Sequence, residues 1–134
     1  MVLFYWNKSY ETGFDSMDAQ HKEFIELSDK LQNSVYDKKQ ADFQKYSDAL
    51  LQNLNDHFNF EDELMVMHKF TGLFSHKAEH ARFYEKVKKH LLGLNTKPTN
   101  DVNTFFETIE KWFVNHLELN DRPLAKFMLD NNLN

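Results

Sequence analysis

The chain of 134 residues contains no cysteine. Disulfides, thiolate metal sites and iron–sulfur clusters are thereby excluded. Glycine and proline are scarce, at three and two residues. An all-β protein needs many turn residues, so this scarcity predicts long helices with short connections. No stretch approaches the ~20 apolar residues of a membrane span. The apolar run Val2-Leu3-Phe4-Tyr5-Trp6 is too short for a signal-peptide core and has no basic flank before it. Basic residues are outnumbered, 16 against 21 acidic for a net charge of −5, and no basic stripe could follow a phosphate backbone. The expectation is a cytoplasmic protein with neither a nucleic-acid nor a membrane partner.

What is present is an aromatic core. Hydrophobic residues make up 41% of the chain, with 13 Phe, 5 Tyr and 2 Trp. The length is that of one domain, 1–134. Residues 1 to about 14 form an irregular arm whose Phe4, Tyr5, Trp6, Tyr10 and Phe14 are expected to pack across the remainder, with Gly13 as a break. Apolar residues at a spacing of three and four then predict helices over 17–37, 41–67 and 73–93. Asp15 or Ser16 is expected to cap the first, and Gly72 to ease the turn before the third. Residues 95–100 form the longest loop. A fourth helix carries Val102, Phe105, Ile109, Trp112 and His116 and is expected to end near Asn120, where Pro123 opens a short final helix through Leu129. Four amphipathic helices with short connections predict an all-α, up-down-up-down four-helix bundle. No outward apolar stripe demands a partner, and a monomer is expected.

The informative residues are polar ones at positions where the buried seam calls for apolar side chains. His57 and Glu61 form one i, i+4 pair, and His76 and His80 another; His21 and His116 stand on the first and fourth stripes. Burying one unpartnered polar group costs roughly 1–3 kcal/mol, against a net stability of about 5–15 kcal/mol for a domain. Six such groups must therefore be satisfied together. In an alternating bundle with ~1.5 Å rise per residue, all six lie within about 5–15 Å of the same end. Asp121 follows His116 by five residues, which on a straight helix is about 140° away. It joins the group only if the helix ends or bulges between them; otherwise it caps the short final helix. His90 lies about 15 Å beyond His80 and is expected to be a partly exposed helix residue, and His68 to lie at the surface or against a loop.

Five imidazoles and two carboxylates exceed what one structural zinc requires and suit a pair of octahedral-leaning ions such as iron or manganese. Ferritin-like carboxylate sites use Glu-x-x-His, which does not point inward here; Glu79 and Glu118 fall off the seam. Phe24, Phe58, Trp112 and Phe113 lie one residue or one turn from these groups. They are candidates to wall a dry pocket for a small neutral ligand.

The set Trp6, Gly13, Asp18-Ala19-Gln20-His21, His57-Phe58-x-x-Glu61, His76-x-x-x-His80, Trp112-Phe113-x-x-His116 and Asp121 resembles the hemerythrins of the single-domain bacterial kind, over essentially the whole chain. The resemblance implies a non-haem di-iron centre that binds O2 reversibly. It places His76, His80 and His116 on one iron and His21 and His57 on the other. Glu61, Asp121 and an oxo or hydroxo group bridge the pair, and the open position belongs to the two-His iron. The family often has an aliphatic residue where Phe113 stands. Oxygen storage, delivery or scavenging is the function so implied. The alternatives are a di-iron enzyme or a sensor handling O2, peroxide or nitric oxide. An enzyme is disfavoured because no acid–base residue or substrate cavity is evident beyond the metal pocket. A sensor is disfavoured because no signalling domain is attached, and a structural dizinc bundle because stapling needs no bridging carboxylates.

Overall fold

The apolar stripes become four long helices: α1 (Asp15–Tyr36), α2 (Gln40–Met67), α3 (Leu73–Leu91) and α4 (Thr99–His116). The computed structural model describes residues 1–133, except the side chains of 73 and 74. All regular structure among the described residues is helical. Helix α1 packs along α2 and meets α4, and α2 packs along α3. This is the four-helix bundle that the stripes and short connections require. No helix among the described residues is long and apolar enough to cross a membrane.

The core has two parts. The larger unites the middle of the bundle around residues such as Leu31, Leu50, Leu54, Val87 and Ile109. The smaller, with Phe14, Met17, Met65, Leu124, Ala125 and Met128, closes one end. Met17 stands one turn before His21 and Phe24 about one turn after it. Leu54 and Met65 bracket His57 and Glu61 in the same way. A polar layer therefore lies between two apolar ones.

The aromatic arm is fastened to the bundle as expected, except that Tyr5 is exposed rather than packed against it. Gln32 donates to the Val2 carbonyl and accepts from the Val2 N–H, at 2.7 and 2.8 Å. Arg122 donates to the carbonyls of Ser9 and Glu11, each at 2.8 Å. Phe4 and Tyr10 set their rings edge-on to Phe113, with centroids 5.4 and 5.2 Å apart. Gly13 has φ +85°, and a Cβ there would come within 3.3 Å of the Leu129 side chain, so the arm's approach needs glycine.

Helix α3 ends two residues early at Leu91, and α4 begins at Thr99, inside the expected loop; two other boundaries differ in ways that bear on the site. Phe14, not Asp15 or Ser16, is the extended residue ahead of α1, and Asp15 lies within the first turn. Asp18 reaches back instead, accepting from the Thr12 N–H and hydroxyl at 2.9 and 2.8 Å and from the Gly13 N–H at 3.1 Å. The larger difference is at the end of α4. The helix does not end near Asn120 but passes through a π-helical turn, Leu117–Asp121, directly into α5 (Arg122–Asp130). Pro123 has no N–H, and its ring clashes with the carbonyl four residues back, so regular α-helical bonding cannot run through it. The wider turn, in which the Arg122 N–H donates to the Leu117 carbonyl, carries the chain past without a break.

Candidate metal centre

His57 and Glu61 stand one turn apart on the inner face of α2, with His57 Nε2 2.6 Å from Glu61 Oε1. Across the bundle, His116 is the last residue of α4 and Asp121 the last of the π turn. The π turn removes the angular separation that a regular helix would impose. Asp121 Oδ1 lies 2.8 Å from His116 Nε2, and the Asp121 side chain makes no capping bond to α5. Glu61 Oε1 is also 3.1 Å from His116 Nε2, and Asp121 Oδ2 is 3.3 Å from His57 Nε2. Each carboxylate therefore reaches both imidazoles. Donor atoms of these four residues all lie within 4.8 Å of one another. From α1, His21 Nε2 comes within 2.7 Å of Asp121 Oδ2. Glu61 and Asp121 are almost wholly inaccessible, at 0% and 1% exposure.

Five of the seven expected residues thus touch directly. The other two flank them on α3. His80 is buried with its ring 5.1 Å from that of His116, and His76 is half-buried, with its ring a further 6.2 Å from His80. His68 and His90 stay apart, as expected: His68 lies 6.4 Å from the Phe127 ring, and His90 is exposed on α3.

A cation suits these residues. Both nitrogens of His80, Nδ1 of His76 and Oε2 of Glu61 are buried without a hydrogen bond. Buried polar atoms left unpaired cost about 1–3 kcal/mol each. Imidazole nitrogens and carboxylate oxygens are also the donor set of borderline first-row metals.

Electrostatics divide the imidazoles. Burial opposes charging of His57, but Glu61 and Asp121 outweigh it and raise its pKa to about 9. The same balance, with Asp121 and Glu61 prevailing over burial, lifts His116 well above the usual imidazole value. Burial would raise Asp121, yet His116 and His57 hold its carboxyl well below the ordinary range. Burial lowers His80 to about 4, leaving a neutral ring. A cation taking Nε2 of His57 and His116 must displace protons, because metal binds the neutral ring. Ferrous iron added at neutral pH is therefore expected to release protons, measurable by calorimetry in buffers of different ionisation enthalpy; no release would contradict the protonated pair. In chelator-treated protein, imidazoles with raised pKa stabilise fully below pH 6.5, and that stabilisation is lost as pH rises through about 9. The thermal midpoint should fall over that window, and a flat midpoint would count against it.

Several residues around the site were not singled out by the sequence reading. Gln20 Oε1 accepts from His57 Nδ1 at 2.7 Å, and Asn53 donates to the Gln20 carbonyl at 3.2 Å. The available signal was Asn53 at i, i+4 from His57, together with Gln20 beside His21. Glu79, expected off the seam, is partly exposed, yet its Oε1 lies 3.6 Å from His116 Nδ1. That contact holds its carboxyl below the usual range. Asn120, in the π turn, donates to Glu79 and lies 3.1 Å from His116 Nδ1.

The aromatic residues occupy two sides. Phe24, Trp112 and Phe113 border a void of about 10 Å³ together with His21, His57, His116 and Asp121. That is room for about one water molecule. Phe113 stacks on Phe24 and meets His21 edge-on, at 5.8 and 5.3 Å. Phe58 faces the other side, lying flat on His80 with centroids 4.1 Å apart.

A helical bundle with a buried layer of imidazoles and carboxylates defines a cation-binding protein with nitrogen and oxygen ligands. Residues 12–127 match the hemerythrin family, described as the hemerythrin HHE cation binding domain. The chain is 32% identical over 131 residues to a bacteriohemerythrin of Aquifex aeolicus, covering 92% of this chain and 96% of that one. It is 26% identical over 126 residues to a bacteriohemerythrin of Stenotrophomonas maltophilia, covering 93% and 81%. Against a myohemerythrin of Riftia pachyptila it is 26% identical over 113 residues, covering 84% and 83%. The chain belongs to the hemerythrin family, which binds O2 at a di-iron centre.

Proposed function

We propose that the chain binds O2 reversibly at two irons, His21 and His57 serving one and His76, His80 and His116 the other. Glu61 and Asp121 are the carboxylates that would hold both irons, with an oxo or hydroxo group completing the site. Irons held there supply the electrons and the open coordination position that O2 requires. The observation that carries this reading is the void of about 10 Å³, which borders both His21 and His57 and, of the other three imidazoles, only His116. The space lies beside both members of the two-His group and beside His116 alone of the three-His group. The spanning role is supported by the contacts of both carboxylates with His57 and His116, which serve different irons in this scheme.

The chain's own residues keep this space dry and oriented. Phe24, Phe113 and Trp112 wall the void, and Phe4 and Tyr10 back Phe113 from the arm. Excluding water protects bound O2 from the proton-coupled loss that would oxidise the site. Gln20 holds the His57 Nδ1 proton, which leaves Nε2 for the cation. Gln20→Leu is therefore expected to weaken iron binding on the His21/His57 side by roughly 10–100-fold. Chelator competition measures this, and unchanged affinity would remove Gln20 from the scheme.

The direct test exposes anaerobically reduced, iron-loaded protein to O2 and then purges it while the visible spectrum is followed. A charge-transfer band that appears and vanishes over repeated cycles is expected. Irreversible oxidation, or turnover of an added electron donor, would replace carriage with an enzymatic role.

A further inference from the structure

A second cavity, of about 320 Å³, lies between α3 and α4, farther along the bundle than the metal centre. Its volume is that of a small-molecule site. The floor is apolar and buried, with Phe83 and Val87 from α3 and Phe105 and Ile109 from α4. The opening is cationic. Lys86 and Lys97 are both exposed on its border, where Asp101 is the single carboxylate. His90 adds a wall: its Nδ1 donates to the Lys86 carbonyl at 2.7 Å, and its ring faces Phe105 at 6.3 Å and 23°. In a chain of net charge −5, a surplus of lysine over an aromatic floor is a local exception. Aromatic faces below and ammonium groups above complement a flat apolar body carrying one negative charge.

The floor is also connected to the metal centre. Phe83 lies flat on Trp112, with centroids 3.6 Å apart and planes within 3°. Trp112 in turn lies on the His116 ring at 4.7 Å and 14°. A ligand pressing on Phe83 therefore acts on a rigid three-ring stack, and any differential contact across it couples the two sites reciprocally.

We propose that the cavity between α3 and α4 binds a small aromatic carboxylate, and that the Phe83–Trp112–His116 stack transmits its occupancy to the metal centre. The second half rests on His116 being a metal ligand; the first half does not. The test uses iron-loaded full-length protein in air and 2-naphthoate as the probe, with calorimetry for binding. Saturable binding of one probe per chain is expected, weakening with added salt as the lysines are screened. The double variant Lys86→Glu/Lys97→Glu changes two exposed side chains and should bind about tenfold less tightly or worse. The neutral analogue 2-naphthamide should lose a similar factor. Equal affinity for 2-naphthamide, or an unaffected double variant, overturns the anion site. For the coupling, saturating 2-naphthoate should shift the visible spectrum of the iron-loaded protein, and Phe83→Leu at saturation should show no shift. A bound probe that leaves the wild-type spectrum unmoved overturns the coupling. O2 reversibility enters none of these readings, so failure here is distinguishable from failure of the O2-binding proposal.

Discussion

Asp121→Ala is expected to leave the protein unable to retain two irons and to lower its thermal midpoint. Asp121 contacts His21, His57 and His116 at 2.7, 3.3 and 2.8 Å, more imidazoles than any other residue of the cluster. Removing it leaves two charged imidazoles, His57 and His116, in a buried setting with Glu61, and for His116 also the partly exposed Glu79, as the remaining close carboxylates. Breaking a buried ion pair by deleting one partner costs about 3–5 kcal/mol, a large share of the stability of a small domain. Glu61→Ala should act in the same direction, because Glu61 contacts His57 and His116 but not His21. Asp121→Asn keeps the volume and removes the charge; it should restore much of the packing and little of the iron. Iron per chain after desalting and the unfolding midpoint are the measurements. Two irons retained with unchanged O2 binding in Asp121→Ala would show that Asp121 does not span the pair.

The second large effect is expected at Phe113. Its ring touches Phe4, Tyr10, Phe24 and His21, so one side chain joins the arm, α1 and the wall of the void. Truncating a buried phenylalanine to alanine costs about 3–5 kcal/mol, through lost burial and the cavity left behind. A cavity here opens on His21, and water entering it removes the protection of the site. Phe113→Ala should therefore unfold at lower temperature and, once iron-loaded, lose its O2-bound form to oxidation faster. Decay of the visible band in air, with and without the substitution, measures the second effect. Equal decay rates would assign Phe113 to packing alone.

The polar layer could be read from position because each helix interrupts its own apolar stripe with a ligand-type residue. His57 and Glu61 need no tertiary information to share a face, since i, i+4 spacing settles it. Glu79 could not be read in this way. Its face on α3 is partly exposed, and its contact with His116 crosses from α3 to α4, where spacing within α3 carries no information. Gln20 likewise gains its partner across the α1–α2 interface, where sequence spacing carries no information.

By itself the sequence determined the all-helical bundle, six of the seven candidate ligands near one end of it and the aromatic residues beside them, because periodicity and helical rise are local properties. The tertiary structure decided three further things. A regular helix would point Asp121 away from His116; the π turn that Pro123 forces brings them to 2.8 Å. Phe24 and Phe113 went to the His21 side and Phe58 to His80, while Trp112 reaches from the void onto the His116 ring, a division set by packing across helices. The cavity under Lys86 and Lys97 arises from side chains on facing helices that no spacing within one helix relates. Contacts within a turn follow from the chain's own geometry, whereas contacts between helices depend on how whole faces interlock.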